Sequence, residues 1–98
     1  MFKHTIMWKV IEPTTNKKGT CEKMKELLES LNEKIPGLIK IEVGINTLEA
    51  KNVFDVILIG EFESKEAYTN YSKHEEHEKI IPFFKTLKLE RTIVDYKL

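Results

Sequence analysis

The chain is poor in several things, and each shortage excludes a class of function. Its 98 residues include one cysteine, Cys21, so no internal disulfide can form, and a reducing compartment is the fitting environment. Glycines number four and prolines three, and no Gly-rich phosphate loop, C-x-x-C pair or G-x-S-x-G elbow occurs. An excess of one charge is also missing, since 16 basic residues offset 16 acidic ones. A nucleic-acid binder would show a basic excess or a basic stripe, so no nucleic-acid partner is expected. The longest apolar run, Val56 to Ile59, falls far short of the roughly 20 residues that a spanning helix needs. The opening Phe2-Lys3-His4-Thr5 lacks the apolar core of a signal peptide. A cytoplasmic protein without a membrane partner is the expectation.

What is present is strong periodicity. Hydrophobic residues make up 41% of the chain and charged residues 33%, enough for one globular domain over residues 1–98 with a well-solvated surface. Phe2, His4, Ile6, Trp8 and Val10 alternate with Lys3, Thr5, Met7, Lys9 and Ile11, which reads as a strand ended by Pro13. Cys21, Met24, Leu27, Leu28, Leu31 and Ile35 recur at helical spacing. Asn16 or Thr20 would cap that helix, and Ile35-Pro36-Gly37 would stop it. A second strand places Ile39, Ile41, Val43 and Ile45 on one face, and residues 47–52 read as a loop. A third, over 53–62, sets Phe54, Val56 and Leu58 against Val53, Ile57 and Ile59. Apolar on both faces, it is predicted to be a central strand. Ser64 is placed to cap a helical region containing Ala67, Tyr68, Tyr71, Ile80, Ile81, Phe83 and Phe84, with a break or kink at Pro82. A final strand spans about 88–96.

The order β-α-β-β-α-β defines an α+β, ferredoxin-like fold. Its helices cover one sheet face. The other face, carrying Met7, Ile11, Val53, Ile57 and Ile59, needs a cover, and a second copy of the same sheet is the simplest one. A homodimer is therefore expected.

Three stretches resemble the stress-responsive A/B barrel (Dabb) family: Phe2-Lys3-His4-Thr5-Ile6-Met7-Trp8-Lys9; Ile35-Pro36-Gly37 leading to Gly44; and Gly60-Glu61-Phe62-Glu63-Ser64-Lys65-Glu66-Ala67 with Tyr71-Ser72-Lys73-His74-Glu75-Glu76-His77, closing on Val94-Asp95-Tyr96. The resemblance implies a dimeric α/β barrel with a cavity between sheet and helices in each subunit. Most members have no assigned reaction. Some plant members are polyketide cyclases with a His general base and a positioning Tyr, and by motif these roles fall on His77 and Tyr71, with His4 in the cavity wall. The chain departs from the family at Glu75, where a Pro is usual, and at Asp55, where the plant cyclases have another His. Some members hold magnesium on backbone carbonyls, which would here be those of Asn32, Ile35 and Leu38.

The residues themselves leave alternatives open. On an unbroken helix Tyr71 and His77 lie about 120° apart, so they converge only if the helix bends or ends between them. Otherwise Tyr71 packs in the core while His74 and His77 are solvated or locally hydrogen-bonded. If they converge, imidazole suits proton removal near neutral pH and a Tyr hydroxyl suits a developing enolate. His4, on an apolar face, reads as a core residue or a member of that site. The run His74-Glu75-Glu76-His77-Glu78 lacks zinc-hydrolase spacing, so neither metal nor cofactor is expected. The favoured reading is a protein binding a small apolar molecule. A cyclase-like or isomerase-like enzyme, a cofactor-free or haem-dependent monooxygenase, and a structural stress-related oligomer are the alternatives.

Overall fold

The computed structural model describes residues 1–98. Seven elements follow in order: β1 (Phe2–Glu12), α1 (Lys17–Glu29), β2 (Leu38–Ile45), β3 (Val56–Phe62), α2 (Lys65–Lys73), α3 (Glu75–Lys85) and β4 (Lys88–Lys97). The strands form one antiparallel sheet in the order β2-β3-β1-β4. This is the ferredoxin-like arrangement, with the second helical region divided in two. Strand β3 is internal, as its two apolar faces predict. Val56, Leu58 and Phe62 are buried against the helices, while Ile57 and Ile59 on the opposite face are only partly covered. Strand β1 divides likewise: Phe2, His4, Ile6, Trp8 and Val10 are buried and Met7 is 37% exposed.

Several boundaries differ from the sequence expectation, each for a local reason. Asn16, not Thr20, caps α1, accepting the Gly19 N–H at 3.3 Å from a left-handed conformation (φ 54°). The helix then stops at Glu29, short of Ile35. The Ser30 hydroxyl donates to the Leu27 carbonyl at 2.6 Å, and Glu33 turns left-handed (φ 68°). Leu31 and Ile35 still reach the core, through turns instead of helix. Gly37 (φ 83°) makes the last of these turns beside Ala67, where a Cβ would come within 2.7 Å of the Ala67 methyl. Ile39 leaves the apolar face predicted for it: the register shifts between Leu38 and Lys40, and Ile39 is 50% exposed. Val53 and Phe54 precede β3 instead of belonging to it. There Asp55 interrupts the regular ladder, its carboxylate accepting the Val10 N–H at 2.7 Å while its own N–H donates to the Trp8 carbonyl.

The two sheet edges are treated differently. Beyond β2, the Asn32 carboxamide bonds both the N–H and the carbonyl of Ile41 (2.7 and 2.9 Å). The Glu29 carboxylate accepts the Val43 N–H at 3.0 Å, and the Lys25 ammonium donates to the Val43 carbonyl. Side chains from α1 and the turn after it thus occupy the edge at Ile41 and Val43. On this pair, burial tends to raise the Glu29 pKa, but the Lys25 and Val43 hydrogen bonds outweigh it and the carboxyl sits below its usual range. Strand β4 has no such cover and is exposed almost throughout. On the face away from the helices Met7, Val94 (64% exposed) and Tyr96 (43%) stand together with Ile57 and Ile59.

Helices α1 and α2 lie on the sheet, whereas α3 is offset from it, packing on α1 and α2 and meeting β1 through the Trp8–Phe84 ring pair. That offset holds a space open between α3 and the β1–β4 half of the sheet.

Candidate functional site

The helical region breaks at His74, not at Pro82, which sits inside α3. His74 adopts an extended conformation (φ −69°, ψ 145°), closes α2 and caps α3, its Nδ1 accepting the Glu76 N–H at 3.0 Å. Glu75, Glu76 and Glu78 follow in the first turn of α3, where carboxylates favour a helix N-terminus. The bend is therefore achieved without proline at position 75. Its consequence is that Tyr71 and His77, which an unbroken helix would keep apart, meet with ring centroids 4.7 Å apart.

These rings line a cavity of about 500 Å³ between α2–α3 and the β1–β4 half of the sheet, and twelve of its seventeen lining residues are hydrophobic. Ile6, Trp8, Leu58, Ile80 and Phe84 supply much of the apolar wall. His4 enters from β1. All three candidate residues, His4, Tyr71 and His77, thus line one space. A chain of rings connects them: His4 to Tyr68 at 4.5 Å, Tyr68 to Tyr71 at 6.2 Å, and Tyr71 to His77. His74 belongs to the helix cap and does not line the cavity.

The electrostatics follow from burial. Desolvation holds the His77 imidazole below its ordinary pKa, His4 adding to the effect and Glu78 opposing it, so His77 is neutral near pH 7. Its Nδ1 is buried and has no hydrogen-bond partner within the chain. Burial, with Tyr68 adding, pushes the Tyr71 hydroxyl far above its usual range, so it remains a proton donor. Tyr68 is raised as well, by burial and then by Asp95, against the Arg91 guanidinium. His4 Nδ1 lies 2.5 Å from the Asp95 carboxylate, which fixes the ring orientation.

Sequence reasoning missed three participants. Tyr68 precedes Tyr71 by one helical turn, and that spacing was the available signal. Asp95 and Arg91 reach the site through the β1–β4 register, in which His4 pairs with Asp95 and Trp8 with Arg91. No local pattern announces a pairing between the two ends of the chain. Asp55, the position of the second departure, does not line this cavity; it ties β1 to α1 through Val10 and Lys17 (3.3 Å). Of the carbonyls that the resemblance offers to magnesium, that of Ile35 already accepts the Leu38 N–H at 3.2 Å. No cluster of three His, Cys, Asp or Glu side chains is placed to hold a metal, and no helix is long and apolar enough to cross a membrane.

Fold and cavity together define a ferredoxin-like α+β protein with a partly open, mostly apolar pocket. The chain belongs to the stress-responsive A/B barrel domain family, whose model matches residues 2–98. Among solved structures, a dimeric ferredoxin-like protein of unknown function from Bacteroides fragilis is 29% identical, with a TM-score of 0.86 over 99% of this chain and 95% of its own. Another dimeric ferredoxin-like protein of unknown function, from Thermobifida fusca, is 18% identical, with a TM-score of 0.83 over 99% of this chain and 90% of its own. A putative antibiotic biosynthesis monooxygenase from Nitrosomonas europaea shares the fold at 11% identity, with a TM-score of 0.75 over 100% and 98%. No curated protein matches the chain.

Proposed function

We propose that this protein is a homodimer, each subunit of which binds a small, largely apolar molecule between its sheet and the α2–α3 pair. The observation that carries the reading is the cavity of about 500 Å³ with a mostly hydrophobic lining, a size and character suited to a small organic ligand. Dimerisation is supported by the uncovered Met7, Val94 and Tyr96 face and by the dimeric Bacteroides and Thermobifida neighbours. The single, buried Cys21, its thiol pKa raised chiefly by desolvation, suits a reducing cytoplasm. Titrating the protein with decanol while following Trp8, its one tryptophan and part of the wall, tests the binding claim. Saturable quenching or enhancement is expected, lost on filling the space with Ile81→Trp (then followed by calorimetry). An unchanged signal and no heat of binding in the wild type would remove the proposal.

A second reading, catalysis by proton transfer, is favoured by the meeting of Tyr71 and His77. A neutral His77 would accept a proton from a carbon beside a carbonyl, and the protonated Tyr71 hydroxyl would donate a hydrogen bond to the enolate oxygen that forms. His4, oriented by Asp95, would line the same end. Exchange of α-deuterium from a panel of ketones should then depend on His77 and vanish in His77→Ala with the fold intact. Exchange that survives this substitution refutes the role.

A further inference from the structure

The polar groups of the cavity are sorted by position, and the two ends differ in charge. His4, Tyr71 and His77 gather at one end, linked ring to ring through Tyr68, whose hydroxyl lies within electrostatic reach of Arg91. At the other, Trp8 and Phe84 stand 6.0 Å apart by ring centroids, with Lys85 next to Phe84 in sequence and Arg91 opposite Trp8 in the strand register. Two independent rulers give the separation. His4 and Trp8 are four residues apart on β1, about 13 Å, and His77 and Lys85 are eight residues apart on α3, about 12 Å. Ile6, Leu58 and Ile80 line the space between.

The charge balance at the second end is one-sided. Lys85 and Arg91 line the cavity, no carboxylate does, and every ion pair of the chain is made by other residues. Asp95, on the same face of β4, is engaged with His4 at the opposite end. Arg91 is also the sole arginine among sixteen basic residues, and it is the side chain whose planar fork matches a carboxylate. Glu90 and Thr92 alternate to the other face of β4.

We infer that the ligand is an elongated amphipathic carboxylate, its anion held by Arg91 and Lys85 and its apolar body running past Trp8 and Ile6 toward His77. The inference rests on the cavity being a ligand site, as proposed above, and adds the ligand's charge and polarity. The neutral end of the molecule reaches the Tyr71–His77 pair, so whatever group is recognised or transformed there is remote from the anion.

The test compares decanoate with decanol, of equal chain length, by Trp8 fluorescence on the intact protein. Decanoate is expected to bind roughly tenfold more tightly at low ionic strength, with the preference shrinking as salt rises. The exposed double variant R91Q/K85Q should bring decanoate down to the affinity of decanol without changing the melting temperature, while Lys40→Gln on β2 should change nothing. Equal affinity for the two probes in the wild type overturns the charge assignment but leaves the cavity as a ligand site. A preference that persists in the double variant overturns the role of these two cations. Binding of neither probe overturns both proposals together.

Discussion

Replacing Glu75 by proline isolates the feature on which the site depends, the break between α2 and α3. Glu75 is the first residue of α3, so its N–H is among those a helix leaves unpaired, and proline's fixed φ suits the position. The residue before a proline must be extended, and His74 already is, at ψ 145°. Proline should contribute about 0.4–1 kcal/mol by restricting the unfolded chain. Against this, the substitution removes a carboxylate from the helix N-terminus, worth about 0.3–1 kcal/mol, and a loose, exposed pairing with Lys79 at 3.8 Å that contributes little. The two nearly cancel. A melting temperature within about 4 °C of wild type is expected, followed by circular dichroism. Ser72→Pro, one position before the last residue of α2, provides the contrast: proline inside a helix costs about 3 kcal/mol, a drop of more than 10 °C on the same scale. Equal, large losses for both variants would mean that the helix runs through His74 and that the capping argument is wrong.

Three further outcomes are expected. Because His77 has a folded pKa below its ordinary 6.5, the unfolded chain takes up that proton first as pH falls. Its contribution is complete above that value and is lost on acidification toward the folded pKa. His77→Gln should therefore flatten the dependence of chemical-denaturation stability on pH below about 6.5, and an unchanged slope would contradict the burial argument. Asp95→Asn weakens a charge-assisted hydrogen bond to a buried His4 and should destabilise by about 1–2 kcal/mol in urea titration. Val94→Lys puts a charge on the uncovered sheet face and should shift the protein from dimer to monomer in analytical ultracentrifugation. A dimer of unaltered stability would place the interface elsewhere.

The fold was legible because its signals are periodic. The two apolar faces of β3 read directly as an internal strand, the alternation of β1 as a strand, and the apolar stripe of Cys21, Met24 and Leu28 as a helix. The misread boundaries lie where hydrogen bonds of single side chains override pattern: Ser30 and Glu33 ending α1, the bulge that exposes Ile39, and Asp55 ahead of β3. The site was legible in part. Tyr71, His77 and His4 stand out as residue types, but their meeting depends on His74 acting as a cap, which takes both its side chain and its backbone conformation to specify. Asp95 and Arg91 were out of reach, since they join the site through a strand pairing that spans nearly the whole sequence.

Histidine-ring NMR during titration with decanol tests the central claim most directly, because the three histidines occupy different settings. His4 and His77 line the cavity with Tyr71, whereas His74 serves the helix cap. Ligand entry should move the ring resonances of His4 and His77 together, at one apparent affinity, and leave that of His74 in place. Shifts confined to His74, or none at any of the three while the probe binds, would show that the cavity joining His4, Tyr71 and His77 is not where this protein takes its ligand.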